Sequence, residues 1–272
     1  MNATMRIHVI RTGRLEFKEA LFRSRSRLAL LTLPFRRGWF GFPVHAYLVE
    51  HDDGHLVIDS GATHKIPNIP AIFRAYVTPD DEIGPQMRAK GLNPDDVRLV
   101  IPTHLDQDHV GGVGHFPNAR IVVHRPEYEY AKTFVGKQRY RPQGWPDSFN
   151  PELYDLGPEP LGPFPQSLSL TDKRDVTLVP IPGHSIAQVG IVVRSNGATL
   201  FFGADHMTDQ AHFVDDVGRG RLSWASHFHS PKLGRESTRR IIEFARQTPT
   251  VLLPAHDVDA EMRLETLETL KI

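Results

Sequence analysis

With 272 residues, 40% hydrophobic and 24% charged, the chain has ordinary globular composition and is long enough to bury a core without covalent cross-links. Lys+Arg and Asp+Glu are both 32, so bulk charge gives no pull towards nucleic acid or an anionic membrane. There is no cysteine, which excludes disulfides, thiolate metal ligands and a cysteine nucleophile.

The opening Met1-Asn2-Ala3-Thr4-Met5-Arg6 carries no positive segment followed by a long apolar run, so a cytoplasmic protein is expected. Residues 1–40 hold nine basic side chains, read as a solvated face or subunit contact. Short β-branched and aliphatic runs predict strands at 6–10, 28–33, 44–49, 55–59, 98–102, 120–124, 176–180, 190–193, 199–203 and 251–254. Helices are predicted at 83–90, stopped by Gly91, at 235–246, and at 260–270. Early strands followed by mixed strands and helices predict an α/β fold with sheet inside and helices outside. Residues 132–166 are rich in Pro and Gly and carry Phe134, Tyr140, Trp145, Phe149 and Phe164. We read them as an ordered cap or substrate loop within a single domain spanning 1–272.

The chemistry concentrates just after the strand predicted at 98–102. His104, Asp106, Asp108 and His109 are four metal-ligand types within six residues, followed at once by Gly111-Gly112, which permits tight backbone geometry. Side chains at a strand end and in the turn after it can splay towards one point, and imidazole with carboxylate suits zinc, manganese or iron. The competing reading is an acidic surface turn with chance histidines. Three more ligand types each follow an apolar strand directly: His184 in Pro-Gly-His-Ser, Asp205 in Gly-Ala-Asp and His256 in Pro-Ala-His-Asp.

This order of residues resembles the metallo-β-lactamase superfamily, whose signature is H-x-H-x-D-H followed by a distant His, a bridging Asp and a final His. The stretch Leu56-Val57-Ile58-Asp59-Ser60-Gly61 is similar to the family's early strand ending in an Asp-x-Gly turn. The Pro-Gly-His-Ser element and the His256-Asp257 pair are most similar to the N-acyl-homoserine lactonase branch. The resemblance implies a four-layer αββα sandwich and a site for two divalent metal ions, zinc foremost, with manganese or iron as alternatives. It implies that His104, Asp106 and His184 hold the first ion, that Asp108, His109 and His256 hold the second, and that Asp205 bridges them. Asp59 would orient a ligand histidine or cap a turn. The implied activity is hydrolysis of a lactone or related ester, with Asp108 or Asp205 as the acid–base carboxylate. The alternatives are a thioester, phosphoester or β-lactam hydrolase, an iron redox protein, or a non-catalytic binding module.

Two positions depart from the family pattern. Asp106 stands where a second His is usual, adding negative charge and favouring harder ions. Thr208 stands where the lactonases often have a Tyr, and His206 or a cap aromatic would have to substitute. The expected partner is a small molecule, met by aromatic loops at 33–43 (Phe35, Trp39, Phe40, Phe42) and 134–149. Nucleic acid and membrane are not expected. The same aromatics would otherwise form a homodimer contact or a satellite core.

Overall fold

A strand with aliphatic side chains on both faces must be covered on both, and this alternation sets the layers. The structure, a computed structural model, describes residues 5–23, 32, 35, 37–146, 149–206 and 229–271. The strands are β1 (Arg6–Lys18), β2 (Trp39–Glu50), β3 (His55–Ile58), β4 (Phe73–Tyr76), β5 (Val97–Ile101), β6 (Arg120–His124) and β7 (Glu152–Tyr154). They form a seven-stranded sheet in the order β4-β1-β2-β3-β5-β6-β7. A five-stranded sheet follows from β8 (Leu168–Ser169), β9 (Val176–Pro180), β10 (Val189–Ser195), β11 (Ala198–Ala204) and β12 (Thr250–Pro254), ordered β12-β11-β10-β9-β8.

In β2, Tyr47 and Val49 turn towards the second sheet and pack with Ile191, Phe202 and Leu253. Their neighbours Ala46 and Leu48 turn the other way, onto Ile83 and Met87 of helix α2 (Ile83–Ala89). The short helix α1 (Glu19–Arg23) precedes α2 in the chain. The outer face of the first sheet is completed by α3 (Gln107–Val110), α4 (Arg125–Lys132) and α5 (Phe134–Tyr140). On the second sheet Phe201 and Leu252 meet Ile241 and Phe244 of α6 (Pro231–Gln247). The last helix, α7 (Ala260–Thr266), tucks Ala260 into the core between the sheets. The result is a four-layer αββα sandwich. Each fully buried Phe or Leu in these layers contributes about 1.5–3 kcal/mol of burial free energy.

Several elements differ from the sequence-based expectation. β1 and β2 run longer than 6–10 and 44–49, because their ends pair with each other and with β4 past the aliphatic runs. Trp39, Phe40 and Phe42 therefore belong to a strand, not to a loop at 33–43. The strand expected at 28–33 lies outside the described residues except for Thr32, which sits in a turn. The cap region contributes helix α5 and strand β7, with α4 leading into it; Pro and Gly obscured their periodicity. No helix among the described residues is long and apolar enough to cross a membrane.

Candidate metal centre

The chain leaves β3, β5, β9, β11 and β12 at the same end of the sandwich, and the turns after them carry Asp59, His104, His184, Asp205 and His256. Asp59 (φ 55°) and Ala204 (φ 47°), beside Asp205, hold left-handed backbone without being glycine. Strain of this kind, worth about 1–3 kcal/mol each, collects at functional sites. After the loop, Gly112 passes so close to Ser60 that a Cβ would lie 2.3 Å from its carbonyl oxygen.

Gly183 (φ +146°) sets the approach of His184, since a Cβ there would lie 2.4 Å from the Cα of Gly234 on α6. Gly183→Ala is expected to cost about 2 kcal/mol, since an alanine must adopt a sparsely populated backbone against an immovable helix. Urea denaturation measures this; an unchanged midpoint would remove the packing argument.

The structure brings all seven expected ligand residues together. Asp108, His109, Asp205 and His256 each offer one donor atom within 4.8 Å of the others, and His104, Asp106 and His184 do the same. The Nε2 atoms of His109 and His256 both lie 3.0 Å from Asp205 Oδ1, and His184 Nε2 lies 3.6 Å from its other oxygen. Asp205 thus links the two groups.

The outer nitrogens of the rings are fixed by acceptors. His256 Nδ1 donates to the Pro43 carbonyl at 2.8 Å, and His109 Nδ1 donates to Asp59 Oδ2 at 2.8 Å. The Thr103 hydroxyl donates to Asp59 at 3.0 Å and lies 3.1 Å from His104 Nδ1, so one buried carboxylate orients two histidines. Asp59 also accepts from the Thr103 N–H at 2.7 Å, so its bonds are compatible with both expectations, orienting a histidine and capping the turn.

This arrangement fits a cation. With Nδ1 protonated, a neutral imidazole turns its Nε2 lone pair inward. Two such lone pairs at 3.0 Å from one carboxylate oxygen repel it unless positive charge lies among them. Burial opposes charge on His109, yet Asp205, Asp59 and Asp108 push it well above its ordinary value; Asp205 likewise pushes His256 up against burial. Burial, with Asp205 nearby, pushes Asp108 up. Asp205 is held low against burial by His256 and His109. His184 is pushed down to about 4 by burial, leaving its ring neutral. The donor set, imidazole and carboxylate without sulfur, suits zinc, manganese or iron.

Residues 39–271 match the metallo-beta-lactamase superfamily. The chain belongs to that superfamily.

Within it, the chain is 37% identical over 102 residues to the N-acyl homoserine lactonase AttM of Rhizobium johnstonii. That match covers 35% of this chain and only 39% of the relative's length. It is 25% identical over 233 residues to the N-acyl homoserine lactonase AiiA of Bacillus thuringiensis, covering 80% of this chain and 83% of that one. A solved N-acyl homoserine lactone hydrolase, with N-hexanoyl-L-homoserine at its catalytic metal center, superposes with a TM-score of 0.75 over 96% of both chains. At 21% identity this shows the superfamily fold.

A cleft of about 360 Å³ opens above the donor groups. One wall is apolar, from Leu15, Phe17, Phe42, Ile66, Ile69 and Phe73; the other is polar, from Gln138, Arg139 and Arg141. Of the aromatics expected to line it, Phe42 does so. Tyr140 and Phe164 are fully buried in the helical layers, and Trp145 packs on Phe149 at 4.8 Å, as a satellite core does. Phe35 is exposed, and Lys18 and Arg74 both lie over the Trp39 ring, at 4.3 and 3.8 Å. Thr208 lies outside the described residues. His206 is buried, with Nε2 2.8 Å from Thr238 Oγ1 on α6, and is not among the residues that line the cleft. Asp257 is a clamp on α7, binding Arg263 at 2.7 Å.

Sequence reasoning missed three residues here. Arg139 Nη2 lies 2.9 Å from Asp106 Oδ2 and 3.1 Å from His184 Nε2. Despite burial, Arg139 together with His104 and His184 holds Asp106 well below the usual carboxylate range. Buried Glu127 accepts from Tyr140 Oη at 2.6 Å, Ser185 Oγ at 2.9 Å and the Ala187 N–H at 2.9 Å. It thereby ties α5 to the loop of His184. Neither had a sequence signal beyond a charge in a helix.

Glu82 similarly joins the turn after β3 to the turn after α3, accepting from Thr63 Oγ1 at 2.7 Å and pairing with His115 at 2.6 Å. Burial opposes its charge, but hydrogen bonds from Thr63, His115 and His64 hold it down at about 2. Its folded value is below its unfolded one, so its stabilisation is full above about pH 4.5 and fades as pH falls towards 2. The stability gap between wild type and Glu82→Gln, followed by urea melts, should be constant near neutrality and shrink below about pH 4.5. A gap that grows on acidification would reverse the assignment.

Proposed function

We propose that this chain is a metal-dependent hydrolase with two ion positions, opening a lactone ring of the acyl-homoserine type or a related ester. The observation that carries the reading is the pair of donor groups joined by Asp205 beneath a cleft with one apolar and one polar wall. His104, Asp106 and His184 would hold the first ion, Asp108, His109 and His256 the second, and Asp205 both. Bound divalent ions, zinc foremost, would supply Lewis acidity and bring the pKa of water towards neutrality.

The protein's own groups do the remainder. Asp59 and Pro43 fix the histidine rings, so the donors need no rearrangement. Asp108 or Asp205 takes up the proton and returns it to the leaving oxygen. Phe17, Phe42, Phe73 and their aliphatic neighbours receive the apolar part of a small molecule and exclude water around the reacting ester. The resemblance to lactonases in sequence over 80% of the chain supports lactone as the ester class.

The test is proton release from a panel of acyl-homoserine and simple lactones, with protein preloaded with zinc, manganese or cobalt and a chelated control. Rapid, chelator-sensitive acid release is expected. No release from fully loaded protein would overturn the lactone reading, and oxygen-dependent turnover of an iron form would replace it with redox chemistry, which the carboxylate of Asp106 favours.

A further inference from the structure

We propose that Arg139 is a built-in competitor for the first ion position, so that the two positions fill with unequal affinity and the first fills only as the guanidinium withdraws. The inference rests on the two-position reading above and assigns a role to a residue that reading does not use.

The atoms Arg139 engages are the atoms the first ion needs. Asp106 Oδ2 and His184 Nε2 are 3.0 Å apart, and Arg139 Nη2 donates to both, at 2.9 and 3.1 Å. An imidazole nitrogen has a single lone pair. His184 Nε2 therefore accepts from the guanidinium or binds an ion, but does not do both. The carboxylate of Asp106 is what draws the cation in: a histidine at that place would offer the guanidinium an acceptor but no negative charge.

Among the described residues, no arginine or lysine pairs with Asp108, His109 or His256 of the second position. Arginine stays charged at any working pH and must be displaced as an ion.

The placement of Arg139 is fixed from behind. It stands at the end of α5, next to Tyr140, whose hydroxyl donates to Glu127, and Glu127 also accepts from Ser185 and Ala187 beside His184. One buried carboxylate thus sets both the arginine-bearing helix and the loop of the ligand it competes for. The resting position is not fully satisfied, since Arg139 Nε is buried without a hydrogen-bond partner among the described residues. The guanidinium also borders the open cleft, which gives it somewhere to go.

The experiment is titration of the metal-free full chain with zinc against a chromophoric chelator, with metal content measured after gel filtration. Wild type is expected to take two equivalents in steps separated by at least about tenfold in affinity, as for a lost charge-assisted bond. Arg139→Met should tighten the weaker step by about that factor and leave the tighter step unchanged, while His184→Ala should remove the weaker step alone. If Arg139→Met does not fold, Arg139→Gln carries the same comparison. Matched affinities in wild type, or a gap that persists without the arginine, would overturn the proposal and leave the hydrolase reading standing. Failure of wild type to bind any ion would overturn both.

Discussion

Asp205→Asn is expected to lower lactone turnover by about a hundred- to ten-thousandfold and to loosen metal binding at both positions. Asp205 reaches both donor groups, with His109 and His256 each 3.0 Å from one oxygen and His184 3.6 Å from the other. Asparagine keeps the shape but loses the charge and one acceptor oxygen. Its amide nitrogen can even donate to an inward-facing imidazole lone pair, so the metal-free fold should survive. The effect should thus appear in metal content after gel filtration and in turnover at saturating metal. Normal activity in this variant would sink the bridging assignment.

Asp59→Ala should cost about 3–5 kcal/mol of stability, the range for breaking a buried charged pair. Three donors lose their acceptor: His109 Nδ1, the Thr103 N–H at 2.7 Å and the Thr103 hydroxyl. Alanine is also a poor occupant of the left-handed backbone at φ 55°, where Asp and Asn are tolerated. Because His109 and, through Thr103, His104 lose their orientation, metal affinity should fall about 10–100-fold. Asp59→Asn retains the backbone and one acceptor and should fall between. Urea melts of the metal-free protein separate the stability loss from the affinity loss measured by chelator competition. An Asp59→Ala protein with wild-type affinity would show that the histidines are held by packing alone.

The donor set was legible in the sequence because metal chemistry restricts residue type and position together. His104, Asp106, Asp108 and His109 crowd one turn, and His184, Asp205 and His256 each follow an apolar strand, at the end where chains leave a sheet. The central strands were equally legible, since a strand covered on both faces is a continuous apolar run, as in Val176–Pro180 and Ala198–Ala204. The same logic failed at β4 and β7, which are short edge strands held by pairing with β1 and β6, partners distant in sequence.

What only the tertiary structure decided is which groups meet across long separations. Nothing local marks Arg139 as the partner of Asp106 and His184, at sequence separations of 33 and 45. Nor does anything local mark Glu127 as the acceptor that binds α5 to the His184 loop. The cap aromatics show the reverse case. Their composition suggested a substrate wall, but burial in the helical layer removes Tyr140 and Phe164 from it, and the cleft takes Phe17 and Phe73 from the first sheet. Residue type and spacing determine which chemistry this chain can perform. The folding of its strands into two sheets determines which charges stand against one another, because electrostatic contact depends on distance in space and hardly at all on distance along the chain.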